Sequence, residues 1–163
     1  METIYEEHEE YYITTDTSQL DVNIIHRYLS EESYWAQGIP KHVVETSIAN
    51  SLCFGLFCKD EQTSGSKQVG FGRLITDKAT FAFLADVFVL KEHRGKGLSK
   101  WLMRTIQCHP ELQNLRRWLL TTKDAHGLYE QLGWKKLSED YASRFMIQHD
   151  PDVYKKPVKS ESQ

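Results

Sequence analysis

The chain has 163 residues, 40% of them hydrophobic, and a formal net charge of −3. That suffices for one domain with a real core, is short for two, and leaves no basic surplus with which to hold nucleic acid. No apolar run approaches the ~18 residues of a membrane span, and the acidic start METIYEEHEE is unlike a secretory signal, so the expectation is a cytoplasmic protein without a membrane or nucleic-acid partner.

Residues 1–10 are acidic and are expected to fray, residues 11–149 carry the domain, and residues 150–163 form a flexible tail containing Pro and Lys. Within the domain, Tyr11 to Thr15 has the aromatic and β-branched content of a first strand. Asp21 is placed to cap a helix with Val22, Ile25, Tyr28 and Leu29 at helical spacing, ending by about Ser33. Tyr34 to Ile39 reads as an aromatic loop, and Pro40 opens a second helix through Val43, Val44 and Ile48 to Asn50. Ser51 to Lys59 and Gln68 to Thr76 read as strands joined by a polar loop, Asp60 to Lys67, and Asp77 to Thr80 turns into the next strand of an antiparallel meander.

That strand leads into LADVFVLKEHRGKGLSKWLMRTIQ, Leu84 to Gln107, around which the chain is organised. Leu84 to Leu90 is an apolar run with one charge, Asp86, as a strand covered on both faces would be. Leu98, Trp101, Leu102, Thr105 and Ile106 then share one face of a helix, with Lys96, Lys100 and Arg104 on another. Between them, Gly95 and Gly97 leave no Cβ between peptide N–H groups and an approaching anion. A helix start offers unpaired donors and a partial positive charge, so a pyrophosphate suits this loop; a simple tight turn accounts for the same glycines. The Walker pattern and G-x-G-x-x-G both fail, the second because Lys100 occupies the place of the third glycine.

After Pro110, Arg116 to Thr122 reads as a strand, Ala125 to Leu132 as a helix stopped by Gly133, and Trp134 to Leu137 and Arg144 to Gln148 as short strands. Cys53, Cys58 and Cys108 have no C-x-x-C spacing and read as buried free thiols. The histidines have no metal-ligand spacing, so no metal is expected; His126 is the one worth testing.

Arg94, Gly97 and Ser99 fill a pattern that resembles [QR]-x-x-G-x-[GA] of the GNAT superfamily of acetyl-CoA-dependent N-acetyltransferases, with Ser99 replacing Gly or Ala. Ala125 to Trp134 resembles the family's later A-x-x-L-Y-x-x-x-G-[FY], with Trp134 as the final aromatic. The resemblance covers roughly Tyr12 to Gln148 and implies an α/β fold, a mixed, mostly antiparallel sheet flanked by helices. It implies further that Gly95, Lys96, Gly97, Leu98 and Ser99 hold the coenzyme A pyrophosphate through their amides after Arg94. Val87, Phe88 and Val89 would pair with the pantetheine arm like an added strand, with oxyanion donors near Phe88 or Val89, and Thr122 would stand where the family often has a pantetheine-bonding Asn.

By the same resemblance Tyr129 supplies the proton for the departing thiolate, although a packed helix tyrosine would look the same. Asp86 is the candidate for activating the amine directly or through water, against a reading in which it orders a neighbouring turn. Tyr34 and Trp35 are candidates to wall the acceptor pocket, or simply pack between helices. The expected activity is acetyl transfer from acetyl-CoA to a primary amine of a small molecule or peptide in a ternary complex. The rivals are a non-catalytic acyl-CoA-binding module, which releases no thiol, and a nucleotide-binding or phosphotransfer protein. The sequence does not set the oligomeric state.

Overall fold

A computed structural model describes residues 3–60 and 62–156. Among these residues six strands form one sheet in chain order: β1 (Tyr5–His8), β2 (Tyr11–Thr14), β3 (Leu52–Asp60), β4 (Gly65–Thr76), β5 (Phe81–Val89) and β6 (Arg117–Leu120). β1 to β5 pair antiparallel, and β6 joins β5 in parallel. The helices are α1 (Val22–Arg27), continued by one wider π turn over Tyr28–Glu32, then α2 (Lys41–Ala49), α3 (Leu98–Gln107), α4 (His126–Glu130) and α5 (Glu139–Ala142).

The sheet is covered on both faces because its central strands carry apolar residues in both directions. Phe54, Leu56 and Leu74 pack with Leu102, Met103 and Ile106 of α3, whereas Phe71 and Phe88 pack with Ile25, Leu29 and Val44 of the first two helices. Asp21 caps α1 as its position predicts, its carboxylate accepting from the Asn23 and Ile24 amides. The turn at Asp77 is closed the same way, by amides of Ala79, Thr80 and Phe81.

Four expectations are corrected. Tyr5–His8 does not fray: it pairs with β2, Tyr5 packs against Tyr12 at 5.1 Å, and the Thr105 hydroxyl donates to Glu6. β3 and β4 run into the predicted hairpin loop, pairing Lys59 with Ser66 and Asp60 with Gly65. Trp134 to Leu137 and Arg144 to Gln148 form no strands, because neither finds a ladder partner; a short helix, α5, capped by the Ser138 hydroxyl, stands between them. Of the three free cysteines only Cys53 is buried, and Cys108 is exposed. In the expected tail Val153–Lys155 makes a short 3₁₀ turn, and residues 157–163 lie outside the described residues.

Candidate active site

The site begins with a fault in strand pairing. β5 and β6 pair from Phe81 with Arg117 to Leu84 with Leu120 and no further, so Ala85 to Val89 runs on without a neighbour on that side. On its other side the register with β4 shifts between Phe71 and Arg73. Opposite that shift Asp86 takes φ +55°, a left-handed conformation that Asp tolerates better than most residues. The bulge turns β5 away from β6 and opens a cavity of about 780 Å³.

At one end of the cavity lies the glycine loop. Gly95 and Gly97 have φ +80° and +76°, and Gly97 is the residue from which α3 starts, with no side chain capping the first amides. Those donors are left for a ligand. Arg94 fastens the loop: its Nε donates to the Val89 carbonyl at 2.9 Å and an Nη to the Tyr28 hydroxyl at 3.2 Å, while the Tyr28 ring stacks on Phe88 at 3.9 Å. Lys96 turns elsewhere, its ammonium donating to the Tyr11 hydroxyl at 3.0 Å, and Leu98 is a core residue. Of the loop's predicted residues only Arg94 and Ser99 line the cavity, so what Gly95 to Leu98 offers a ligand is backbone.

Both Asp86 oxygens are engaged. One accepts from Arg73 Nε at 2.7 Å, an ion pair with side chains 14% and 10% exposed, and the other from the Trp35 indole N–H at 3.0 Å. Arg73 also donates to the Ser51 hydroxyl. Tyr34 meets the opposite wall, its hydroxyl accepting from the Lys123 amide at 2.8 Å with the Lys123 ammonium over its ring. The aromatic loop is thereby tied to β5 on one side and to the segment after β6 on the other.

Tyr129, on α4, lines the cavity opposite β5. Burial, together with the nearby Tyr34 and Asp124, pushes its phenol up to about 12. Thr122 lines the cavity too, its hydroxyl accepting from the Ala125 amide ahead of α4. Burial pushes the Cys53 thiol up to about 12 as well, which leaves it no thiolate for acyl transfer at neutral pH. Among the described residues no three His, Cys, Asp or Glu side chains converge as a metal site requires.

The cavity thus joins Val87 to Val89, Arg94 and Ser99 at one end with Asp86, Tyr34, Trp35, Thr122 and Tyr129 at the other. Sequence reasoning missed Arg73, Tyr28, Glu32 and Asp124. Glu32 and Asp124 also line the cavity, and no salt bridge engages either among the described residues. Arg73, the one charge between Val69 and Ile75, was the signal that could have been read.

The sequence model of the acetyltransferase (GNAT) domain matches residues 55–136. A Gibberella zeae protein provisionally named an acetyltransferase is 33% identical over 147 residues, covering 80% of this chain and 82% of that protein. A crystal structure of a GNAT-family protein from Xanthomonas campestris, also provisionally named an acetyltransferase, is 44% identical, covers 92% of this chain and 100% of its own, and superposes with a TM-score of 0.83. An Elizabethkingia anophelis GNAT acetyltransferase solved with acetyl-CoA bound shares the fold at a TM-score of 0.57 and 10% identity, covering 80% of each chain.

Proposed function

Because the chain belongs to the GNAT acetyltransferase family, and so is an acyltransferase, we propose that it moves acetyl from acetyl-CoA to a primary amine by direct attack in a ternary complex. The observation that carries this reading is the parting of β5 from β6 at Asp86, which leaves a free strand edge between a helix start suited to pyrophosphate and a half-buried phenol. The acetyl-CoA held by the Elizabethkingia protein agrees with that choice of donor.

In the proposed reaction the amine nitrogen forms a bond to the thioester carbon, amides of the splayed β5 strand receive the developing oxyanion, and the carbon–sulfur bond breaks. The proton count closes without another acid, since the nitrogen loses one proton and the departing sulfur gains one. A phenol at about 12 is too weak an acid to protonate a free thiolate, whose conjugate acid lies near 8.5. Tyr129 therefore acts by donating a hydrogen bond to the sulfur while charge develops there. Asp86, with both oxygens taken, is assigned to hold the bulge and Trp35 in place; the ammonium form of the substrate gives one proton to solvent before attack, and the proton that nitrogen sheds after the N–C bond forms is the one balanced by the proton gained at sulfur.

Thiol release from acetyl-CoA, measured over a panel of small amines and peptide N-termini across pH, tests the reading. Activity should appear with at least one primary amine, rise with pH toward that amine's own pKa, and show no descending limb from Tyr129 below about pH 11, because its raised pKa keeps the phenol protonated throughout that window. Coenzyme binding without thiol release from any amine would favour a non-catalytic module.

A further inference from the structure

The glycine loop is tied to the sheet by a residue that does not line the cavity. Tyr11 of β2 is 2% exposed, yet its hydroxyl meets the loop twice. Lys96 donates to that oxygen at 3.0 Å, and His93 Nδ1 lies 2.9 Å from it. The His93 ring stands nearly perpendicular to the Tyr11 ring at 5.7 Å, and the Lys96 ammonium is 5.4 Å from the centre of the same ring. One oxygen thus joins the two residues that bracket Arg94 and Gly95. Counting hydrogens sets the direction of these bonds. The bond to Tyr11, with Glu10 3.8 Å away, favours the ammonium form of Lys96, which can only donate. The phenol has one proton of its own, and His93 Nδ1 is in place to accept it. Were Nδ1 to carry a proton instead, two donors would meet on one oxygen and the phenol proton of a core residue would go unpaired. The chain therefore runs from the Lys96 N–H to the Tyr11 oxygen, and from the Tyr11 O–H to a His93 that keeps its ring proton on Nε2.

The loop needs such a tie because packing does not supply one. A Cβ at Gly95 or Gly97 would meet nothing within 4 Å, and both residues sit at positive φ, where glycine is free to adopt many other conformations. Arg94 is bonded to Tyr28, which packs with the helices on one face of the sheet, while His93 and Lys96 are bonded to Tyr11, which packs in the core on the other. We propose that Tyr11 is a positioning residue for the glycine loop: by bridging His93 and Lys96 it holds the turn in the shape whose unpaired amides receive the pyrophosphate of the acyl donor. The identity of that ligand rests on the proposed function, whereas the clamp does not. Lys96 then serves the loop by fixing its shape, and the donors offered to the ligand are peptide groups set in advance.

Tyr11→Phe keeps the ring in the core and removes the one oxygen. Calorimetric titration of the full chain with acetyl-CoA should show affinity about 5-fold lower, the scale of one lost hydrogen bond. Turnover at saturating acetyl-CoA should hold, because Tyr11 reaches neither the cavity nor the reacting atoms. His93→Leu should match that loss. His93→Asn, whose side-chain oxygen can accept where Nδ1 does, should bind like the parent, and Tyr11→Phe combined with His93→Leu should be no weaker than either alone, since both remove the same bond. In the ligand-free protein the His93 and Arg94 amides, bonded to the Leu90 and Lys91 carbonyls, should exchange hydrogen faster in Tyr11→Phe while those of α3 keep the parent's rates. A Tyr11→Phe protein with the parent's affinity, losses that multiply in the double variant, or a His93→Asn protein as weak as His93→Leu would each overturn the proposal. Faster exchange in Tyr11→Phe, together with a parent that binds no acetyl-CoA, would support the clamp and remove only the choice of donor.

Discussion

The two walls of the cleft are made differently. On the β5 side each part is fastened: Arg94 to Val89 and Tyr28, Asp86 to Arg73 and Trp35, and α3 by five residues buried in the core. The β6 side is thin. β6 has four residues, all half-exposed, and α4 has five, none buried and with no side-chain cap on its first turn. A wall with dense packing holds a ligand in one place, whereas one with sparse packing opens at low cost and adapts to what it meets. In the proposed function the donor sits on the first and the acceptor meets the second.

The largest effect is expected from breaking the fastened wall at the glycine loop, the proposed pyrophosphate site. Gly97→Glu adds a side chain at φ +76°, costing about 1–2 kcal/mol of backbone strain, and would set a carboxylate where the proposed function puts the pyrophosphate. Acetyl-CoA affinity by calorimetry should fall by about 10³-fold, with the charge contributing the larger share. Undiminished binding would move the donor to another place. Next comes Asp86→Asn, which keeps a residue suited to φ +55° and removes one charge from a pair at 14% and 10% side-chain exposure. Leaving Arg73 without its counter-charge should cost about 3 kcal/mol, or a fall in melting temperature of roughly 6–12 °C for a chain of this size. An unchanged melt with a lost pH inflection in the rate would instead make Asp86 a base.

These two sites differ in how far they were legible. The glycine loop shows in the sequence because its chemistry is local: two glycines, a preceding apolar strand and a following amphipathic helix lie within twenty-four residues, Leu84 to Gln107. The Asp86–Arg73 pair does not show, because the residues meet only once the bulge has set the register between β4 and β5. Strand pairing misled the reading at both ends of the chain. The charged YEEH of β1 looks frayed until Glu6 meets Thr105 and Glu7 meets Lys59. Trp134 to Leu137 and Arg144 to Gln148 look like strands, but neither pairs with the open outer edge of β6, and local preference alone makes no ladder.

On the sparse wall Tyr129→Phe removes one hydroxyl and leaves the ring against Trp134, 6.0 Å away. Turnover should drop by about 10²-fold, with acetyl-CoA affinity unchanged, since in the proposed reaction the hydroxyl acts only as charge develops on sulfur. A drop in affinity of the same size, seen in binding titrations, would make Tyr129 a packing residue of the donor site.

The smallest effect, and the one that separates the two walls most finely, belongs to Tyr34→Phe. The ring and its contact with Trp35 at 5.0 Å remain, and only the hydrogen bond from the Lys123 amide to the phenol oxygen is lost. A neutral bond at an exposed site contributes about 1 kcal/mol, so the aromatic loop should detach from the β6 side while Trp35 stays bonded to Asp86 on the other. If the sparse wall governs the acceptor alone, KM for the amine rises roughly 5-fold while KM for acetyl-CoA holds. Equal rises in both constants would mean that the loop closes over donor and acceptor together, and that the division between the two walls is one of packing and not of function.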